Sequence, residues 1–433
     1  MNNFSGQIKY FPTSDHKSSS GSVVLAYSGG LDTTYCAVYL QKIKNLEVHA
    51  LTVNTGGFTE DEIKQIEARA KKLGIASFRC VEVMKEYYES CIKYLVFGNV
   101  LKNATYPLSV SAERMVQAIA VAKYVQEVGA AYVAHGSTGA GNDQVRFDMV
   151  FQSMLPGVEI LTPIRDLRLS REEEIEFLKQ HGIDMNVEKA KYSINKGLWG
   201  TSVGGKETLT SKEYLPENAW PTPVSESGTK KIELLFEKGE LIGIDGKKYK
   251  HPVEAIQFLQ SIAQPFGIGR DIHVGDTIIG IKGRVGFEAA APLIIIKAHH
   301  LLEKHVLTKW QLYWKDQLSN WYGNWLHEGQ MLDPAMRNIE KFMEDTQTTV
   351  SGKVFVTLEP YRFIVTGIES DHDLMSSKFG SYGEMNKGWS GDDVKGFAKI
   401  FGNQASIYHK INTPTTPTPE GETKNSNEKN AKR

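Results

Sequence analysis

The sequence predicts an α/β protein with a parallel, doubly wound sheet, a second α+β domain and a C-terminal helical arm. Short apolar runs alternate with helical patterns from residue 22 to residue 182, which is the order of a parallel sheet. After residue 186 the pattern changes to paired strands and long helices. A further helical pattern near the end of the chain precedes a polar tail.

Five short runs rich in β-forming residues are predicted as the strands of the first sheet. They are residues 22–27 (SVVLAY), 47–55 (EVHALTVNT), 77–83 (SFRCVEV), 131–135 (AYVAH) and 158–163 (VEILTP). Two of the intervening helices begin with a capping box, Thr59 with Glu62 and Ser170 with Glu173. A sheet of this kind binds its ligands beyond the carboxyl ends of its strands.

The second half of the chain has a different pattern. Residues 231–244 and 353–368 each predict a β-hairpin, and residues 300–326 predict one long aromatic-rich helix. The aromatic residues of that helix recur at helical spacing, which predicts a core or subunit-interface face rather than a base-stacking platform. They are Trp310, Tyr313, Trp314, Trp321, Tyr322 and Trp325. Residues 392–411 predict a helix beyond the second domain.

These patterns divide the chain into five segments. We expect a disordered lead-in at 1–20, the parallel-sheet domain at 21–185, an α+β domain at 186–370, a C-terminal arm at 371–411 and a disordered tail at 412–433. The lead-in is polar and lacks the apolar stretch of a signal peptide.

Composition and charge narrow the function classes. The 433 residues carry a formal net charge of -1 and are 41% hydrophobic, which is typical of a soluble enzyme and gives no global field for nucleic acid or a membrane surface. Three cysteines, Cys36, Cys80 and Cys91, lack metal-binding spacing. We therefore expect reduced thiols, a cytoplasmic location, and no nucleic-acid or membrane partner.

The stretch AYSGGLDTT (residues 26–34) predicts a phosphate-binding turn between the first strand and the first helix. Glycines let an anion approach the backbone amides at the positive end of a helix, and the neighbouring hydroxyls add hydrogen bonds. Asp32 fits such a site if Mg²⁺ arrives with the nucleotide, because the cation offsets carboxylate–phosphate repulsion. The alternative is a capped helix with a tight turn and no ligand.

A second polar cluster, HGSTGAGNDQVRF (residues 135–147), follows the predicted fourth strand. Asn142 and Asp143 suit an ammonium or amide group, Thr138 suits a carboxylate oxygen, and Arg146 offers a planar fork for a carboxylate or carbonyl. Such a set suits a zwitterionic ligand. The alternative is a surface loop with an arginine–aspartate pair.

Together these two motifs resemble the argininosuccinate synthase family, a branch of the ATP pyrophosphatase superfamily. Tyr106, Ser111 and Arg114 fall at the family's spacing before the second motif, and Ser193 and Ser202 match its paired serines. The resemblance covers most of residues 21–410. A tRNA-thiolating relative would need reactive cysteines and a basic surface, which this composition disfavours.

The resemblance implies that the ureido oxygen of citrulline attacks the α-phosphate of MgATP and that the amino group of aspartate then displaces AMP. It also implies ATP and Mg²⁺ as cofactors and a homotetramer. ATP contacts would come from Ala26, Tyr27, Ser28, Gly29, Gly30, Leu31, Asp32, Thr33, Thr34, Val53 and Gly136. Citrulline contacts would come from Tyr106, Ser111, Asn142, Arg146, Ser193 and Ser202, and aspartate contacts from Thr138, Asn142 and Asp143. No protein metal ligand is assigned beyond the position near Asp32.

Three positions depart from the family pattern. Ala140 stands where the family commonly has lysine, and Gly275 and Phe287 stand where a glutamate and a tyrosine usually contact citrulline. The missing carboxylate leads to the hypothesis that the substrate is an N-acylated citrulline whose bulk uses the space at Gly275. The alternative is that Asp276 replaces the glutamate after a backbone shift. A non-catalytic ATP-binding paralogue is a further alternative.

Overall fold

A computed structural model describes residues 19–185, 192–375, 382–383 and 387–413 of the chain. Residue contacts divide the chain into two compact units, Met1–Leu374 and Met375–Arg433. Most of the predicted lead-in and nearly all of the predicted tail lie outside the described residues, so these two expectations remain predictions. The first strand begins at Ser19 and the last helix ends at Asn412.

The first sheet is five-stranded and parallel, as predicted. Its strands are β1 (Ser19–Ala26), β2 (Glu47–Asn54), β3 (Ser77–Glu82), β4 (Ala130–Ala134) and β5 (Glu159–Leu161). The strand order is β3-β2-β1-β4-β5. The chain therefore adds β2 and β3 on one side of β1, and then adds β4 and β5 on the other side. The switch between β1 and β4 opens a crevice at their carboxyl ends. Both predicted motifs begin there.

The helices of the first half of the chain follow or join these strands. They are α1 (Leu31–Lys42), α2 (Glu60–Lys72), α3 (Met84–Tyr87), α4 (Lys93–Phe97), α5 (Ser109–Val128), α6 (Asp143–Met154), α7 (Pro163–Leu167) and α8 (Arg171–Gln180). A π-helical turn, Tyr88–Ile92, joins α3 to α4. Both predicted capping boxes are confirmed, with Thr59 and Ser170 each exchanging hydrogen bonds with the glutamate three residues later.

The second half of the chain forms two antiparallel sheets. The four-stranded sheet has the order β11-β12-β7-β6 and the five-stranded sheet the order β10-β9-β8-β13-β14. The strands are β6 (Ser193–Gly197), β7 (Gly200–Gly204), β8 (Lys230–Glu237), β9 (Glu240–Ile244), β10 (Lys247–Lys248), β11 (Arg270–Asp276), β12 (Lys282–Glu288), β13 (Gly352–Glu359) and β14 (Arg362–Glu369). Both predicted hairpins are confirmed as the pairs β8/β9 and β13/β14.

The prediction of one helix over residues 300–326 is wrong. The structure has α9 (Pro252–Ala263), α10 (Ala290–Val306), α11 (Lys309–His327) and α12 (Pro334–Thr346). The break between α10 and α11 falls at Thr308, whose side chain accepts a hydrogen bond from the backbone of Gln311 while the Gln311 side chain accepts from Thr308. Those bonds satisfy orphan amides and start a new helix.

The aromatic residues of α11 have different environments. Tyr322 is fully buried, as expected for a core position, whereas Trp310, Tyr313, Trp314 and Trp321 are exposed on the single chain. The expectation that part of this face lies in a subunit interface therefore remains a prediction.

One hydrophobic core connects the two halves of the first unit. Leu108 at the start of α5, Trp199 beside β7 and Phe287 of β12 belong to the same buried cluster as Ile294 of α10 and Val354 of β13. This shared packing fixes the second half of the chain against α5. The crevice of the first sheet therefore has a rigid neighbour.

The C-terminal unit contains α13 (Gly391–Phe401) and α14 (Asn403–Asn412). The single helix predicted over 392–411 is thus two helices separated by Gly402. Both helices carry exposed apolar side chains, including Phe397, Ile400 and Tyr408. Within the described residues, no helix has both the length and the apolar character needed to cross a membrane.

Candidate active site

The SGG turn has the conformation that the sequence predicts. Gly29 adopts a φ of +72°, and Gly30 is the N-cap residue of the 12-residue helix α1. The Ser28 hydroxyl lies 3.2 Å from the Thr33 hydroxyl and accepts a 3.4 Å hydrogen bond from the Gly30 amide. The turn therefore brings backbone amide and hydroxyl groups to the positive end of a helix dipole, as an anion site requires.

Gly136, which follows β4, lies directly beside this turn. A Cβ atom on Gly136 would lie 3.3 Å from the carbonyl carbon and from the Cβ of Asp32. Ala26 ends β1 and Tyr27 follows it, and Val53 lies near the end of the neighbouring strand β2. The structure thus brings the predicted ATP residues of β1, α1 and the loop after β4 to one edge of the sheet.

Asp32 faces a second carboxyl group that the sequence analysis missed. Glu174 of α8 is buried, and its Oε2 atom has no hydrogen-bond partner among the described residues. Burial, together with the charge of Asp32, raises the pKa of Glu174 to about 8. Carboxylate oxygens are the ligands that Mg²⁺ prefers, so Asp32 with Glu174 fits a cation that arrives with a nucleotide.

Two arginines supply positive charge near these loops. Arg69 of α2 donates a hydrogen bond to the Gly29 carbonyl. Arg165 of α7 lies 3.7 Å from the position that a Cβ on Gly139 would take, and it pairs with Asp148 at 2.6 Å. Ala140 itself is exposed in the loop. Of the two, Arg69 contacts the SGG turn itself, whereas the guanidinium of Arg165 is paired with Asp148.

Asp143 is held between two arginines. Its Oδ2 accepts a 3.0 Å hydrogen bond from Arg114 Nε, and its Oδ1 accepts a 3.1 Å hydrogen bond from Arg146 Nη1. Burial opposes ionisation, but the two guanidinium groups outweigh it and lower the pKa of Asp143. Since Arg146 is only 3% exposed, this network is not the surface pair considered as the alternative.

Arg146 also connects Ser111 of α5 with His327 of α11. Its Nη2 donates to the Ser111 hydroxyl at 3.1 Å and to the His327 carbonyl at 2.9 Å. The Ser111 hydroxyl lies 3.1 Å from His327 Nδ1. Because burial and then Arg146 lower the pKa of His327 to about 4, the imidazole is neutral near pH 7 and Ser111 donates to Nδ1.

Tyr106 packs against a histidine rather than against a tyrosine. Its ring stacks on His273 with centroids 5.0 Å apart, and the buried Phe287 lies 5.4 Å away on another side. A Cβ atom on Gly275 would lie 2.5 Å from His273 Nε2. The space at Gly275 is therefore occupied by the His273 imidazole, and the expectation that an acyl group uses this space stays a prediction.

Ser193 and Ser202 share one face of the small antiparallel sheet. Ser202 is paired with Asn195 and with Phe287, and Ser193 is paired with Gly204. Directly opposed residues of antiparallel strands point to the same face. Asn195 accepts a 3.0 Å hydrogen bond from Arg114 Nη2, so this face meets the arginine–aspartate network.

The loop before α6 holds the remaining predicted residues. Asn142 Oδ1 accepts a 2.8 Å hydrogen bond from the backbone amide of Ile278, in the turn between β11 and β12. Thr138 is exposed in the same loop. The hairpin β11/β12 is thereby tied to the loop that carries Asn142 and Asp143.

Several residues of this cluster gave no recognisable signal in the sequence. Lys102, His273 and His327 reach it from three separate parts of the chain, and none belongs to a short motif. Among the described residues no group of three or more His, Cys, Asp and Glu side chains could hold a metal ion.

Sequence comparisons agree with this geometry. The family described as arginosuccinate synthase N-terminal HUP domain matches residues 22–184, and the arginosuccinate synthase C-terminal domain matches residues 192–408. Together these matches span the parallel sheet, both antiparallel sheets and most of the C-terminal helices.

Named relatives match over nearly the whole chain. Argininosuccinate synthase of Methanocaldococcus jannaschii is 36% identical over 389 residues, which cover 89% of this chain and 97% of the relative. The enzyme of that name from Dictyoglomus thermophilum gives the same identity and coverage. The one from Xanthomonas campestris is 34% identical over 406 residues, covering 91% of this chain and 100% of the relative. The chain belongs to the argininosuccinate synthase family.

Proposed function

We propose that this chain is an ATP-dependent carbon–nitrogen ligase of arginine biosynthesis that joins a citrulline-type ureido compound to aspartate through an adenylate. The observation that carries the proposal is the placement of the SGG turn beside the loop that holds Asp143 between Arg114 and Arg146. A phosphate site and an amino-acid site then meet at the β1/β4 crevice. The names of its relatives support the same reaction.

In the first step the triphosphate would lie against the amides of the SGG turn, with hydrogen bonds from Ser28 and Thr33. Arg69 and Arg165 would offset charge on the departing pyrophosphate. When bound, Mg²⁺ neutralises phosphate charge, and Asp32 with Glu174 would hold it. The ureido oxygen attacks the α-phosphorus, the bond to the β-phosphate oxygen breaks, and pyrophosphate leaves.

In the second step the amino group of aspartate attacks the ureido carbon of the adenylate, AMP leaves with the former ureido oxygen, and the amine loses a proton. Both nucleophiles belong to substrates. The protein therefore needs positioning groups rather than a nucleophilic residue. Arg146, Ser111, Tyr106, Ser193 and Ser202 would hold the ureido substrate, and Thr138, Asn142 and Asp143 would hold aspartate.

We further infer a cytoplasmic homotetramer with no nucleic-acid or membrane partner. The cysteines in the described residues are all free thiols. Exposed aromatic residues on α11 and exposed apolar residues on α13 and α14 are the kind of surface that subunit contacts cover. Light scattering on the purified chain measures the mass of the assembly directly.

The reaction is tested by measuring AMP and pyrophosphate with ATP, aspartate and a ureido substrate. Over many turnovers the proposal requires equal amounts of both products, and this turnover depends on aspartate. With the ureido oxygen labelled as ¹⁸O, the label must appear in AMP. Formation of ADP and phosphate would contradict the mechanism, and ATP binding without pyrophosphate release from any ureido substrate would favour the non-catalytic paralogue.

A further inference from the structure

We propose that the ureido substrate of this chain carries an acyl group on its α-nitrogen, with an acyl chain that ends in a carboxylate preferred, and that Lys102 and His273 recognise the acyl group. This inference rests on the proposed function, because it concerns the site formed by Tyr106, Ser111 and Arg146.

The first observation is an unsatisfied, buried imidazole next to an unpaired cation. His273 is only 6% exposed, and its Nδ1 atom has no hydrogen-bond partner among the described residues. Lys102 is half-buried and donates a 2.6 Å hydrogen bond to Asn324 Oδ1, but it forms no ion pair within the described residues. Such groups favour a ligand that brings an acceptor or a negative charge.

The second observation is that the nearby carboxylates are already engaged. Asp143 is bound by Arg114 and Arg146. Glu113 is buried, and its Oε1 accepts hydrogen bonds from Thr55 and Gln117. In the described part of the chain, Glu113 is therefore already engaged and Asp143 belongs to the proposed aspartate site, so neither is left to pair with the α-ammonium of the ureido substrate.

Asp276 does not take the place of the missing glutamate. Its carboxylate pairs with Lys282 at 2.6 Å and is 65% exposed. Successive residues of a strand point to opposite faces, so Asp276 faces away from Gly275 and His273. Only its backbone carbonyl approaches the site, 3.4 Å from His327 Nε2. The backbone-shift alternative therefore has no support in this structure.

These groups make the site unfavourable for a free α-ammonium. Lys102 and Arg146 are cationic. An ammonium group bound near them without a carboxylate would be destabilised both by loss of hydration and by like-charge repulsion. Acylation removes that charge. The resulting amide offers a carbonyl and an N–H to neutral imidazoles, and a terminal carboxylate on the acyl chain would pair with Lys102.

The hairpin β11/β12 offers a surface for the methylene groups of such a chain. Ile279 and Ile281, in the turn of this hairpin, are exposed apolar side chains. The turn between its strands is bonded to Asn142, which places the hairpin at the site. Exposed apolar residues next to a polar cluster suit a ligand with both characters.

The decisive experiment compares kcat/KM for citrulline, Nα-acetylcitrulline and Nα-succinylcitrulline, measured as aspartate-dependent pyrophosphate release by the full chain. We expect the succinyl compound to exceed citrulline by at least about tenfold, equivalent to one well-placed charged interaction. Equal or better use of free citrulline overturns the inference but leaves the proposed function intact. No pyrophosphate from any of the three overturns the proposed function itself.

Variants at Lys102 and His273 test whether these residues recognise the acyl group. Lys102→Met should lower kcat/KM for the succinyl compound about tenfold and leave the acetyl compound nearly unchanged. Lys282→Met, which removes an exposed lysine of β12, is the matched control and should change neither. The double variant His273→Ala/Gly275→Glu should improve the use of free citrulline, because it frees the space at residue 275 and restores a carboxylate.

Each variant is first compared with the parent by its melting temperature, so that loss of folding is recognised. The acetyl compound serves as the internal reference for every protein. If Lys102→Met lowers kcat/KM equally for both acylated compounds, Lys102 does not bind the carboxylate of the acyl chain, and the assignment of Lys102 to that carboxylate is overturned.

Discussion

The Nδ1 atom of His327 lies 3.1 Å from the hydroxyl of Ser111, which links the last residue of α11 to the first turn of α5. Arg146 donates to the Ser111 hydroxyl, so that hydroxyl must direct its own proton to His327. The network fixes the imidazole as the Nε2–H tautomer. A helix from the second half of the chain therefore orients two side chains of the first.

His327→Ala should raise the KM for the ureido substrate about tenfold and leave the KM for ATP unchanged. The substitution removes the hydrogen-bond partner of Ser111 and loosens Arg146, whereas the SGG turn is untouched. Steady-state kinetics with each substrate varied in turn provides the measurement. His181→Ala, at the exposed end of α8, is the control. Equal changes in both KM values would show a general loss of structure.

The lowered pKa of His327 predicts how the free energy of unfolding changes at acid pH. Folding lowers the pKa of His327 from 6.5 to about 4, so between these values the unfolded chain binds a proton that the folded chain does not. Stability from this group is complete above pH 6.5 and declines as the pH falls toward 4, by about 3 kcal/mol in total. Urea unfolding at pH 7 and at pH 4.5 should show a smaller loss for His327→Ala than for the parent.

Asp143→Asn should nearly abolish activity and destabilise the fold by about 2 kcal/mol. The amide cannot balance the charges of Arg114 and Arg146, of which the latter is buried. Pyrophosphate release and urea unfolding measure the two effects. Asp61→Asn, in an exposed pair with Lys64, provides the control and should alter neither. An active Asp143→Asn enzyme would remove this carboxylate from the proposed aspartate site.

The fold and the two loops could be predicted because their signals are local. Thr59 with Glu62 and Ser170 with Glu173 lie three residues apart, and each pair sets a helix start by itself. The break before α11 has the same kind of signal in Thr308 and Gln311, but the aromatic periodicity across residues 300–326 obscured it. A local signal therefore predicts a helix start only where it is not overlapped by a pattern that extends over more residues.

The contacts around the ureido site could not be predicted in this way. Ser111 and His327 are separated by 216 positions, and Lys102 and Asn324 by 222. Such pairs arise from the packing of α11 against the first half of the chain, and this packing cannot be predicted from the spacing of residues along the sequence. The sequence also identified Gly275 as a departure without showing that His273 fills the space it leaves.

Gly136→Ala should weaken ATP binding by at least about tenfold. The added methyl group would lie 3.3 Å from the backbone of Asp32 and from Thr33 Cγ2, which is closer than most Cβ contacts and displaces the turn that binds phosphate. Calorimetric titration with MgATP measures the change. Gly141→Ala, in the same loop but with nothing within 4 Å of the added atom, should bind ATP like the parent. Equal affinities for all three proteins would argue against this edge as the ATP site.

Glu174→Gln should make the chain more stable at pH 8 and leave its stability at pH 4.5 unchanged. Burial and Asp32 raise the pKa of Glu174 from 4.5 to about 8, so between these values the folded chain retains a proton that the unfolded chain has lost. Stability therefore falls as the pH rises through this range. Glutamine stays neutral and removes that slope, which should gain about 1–2 kcal/mol at pH 8.

Urea unfolding without nucleotide or magnesium tests this at both pH values. Glu172→Gln is the matched control, because Glu172 is exposed in the first turn of the same helix and should show no such gain. MgATP should then stabilise the parent more than the Glu174→Gln variant at pH 8, since only the parent offers a second carboxylate beside Asp32. A variant no more stable than the parent at pH 8 would mean that the pKa of Glu174 is not raised in the free protein.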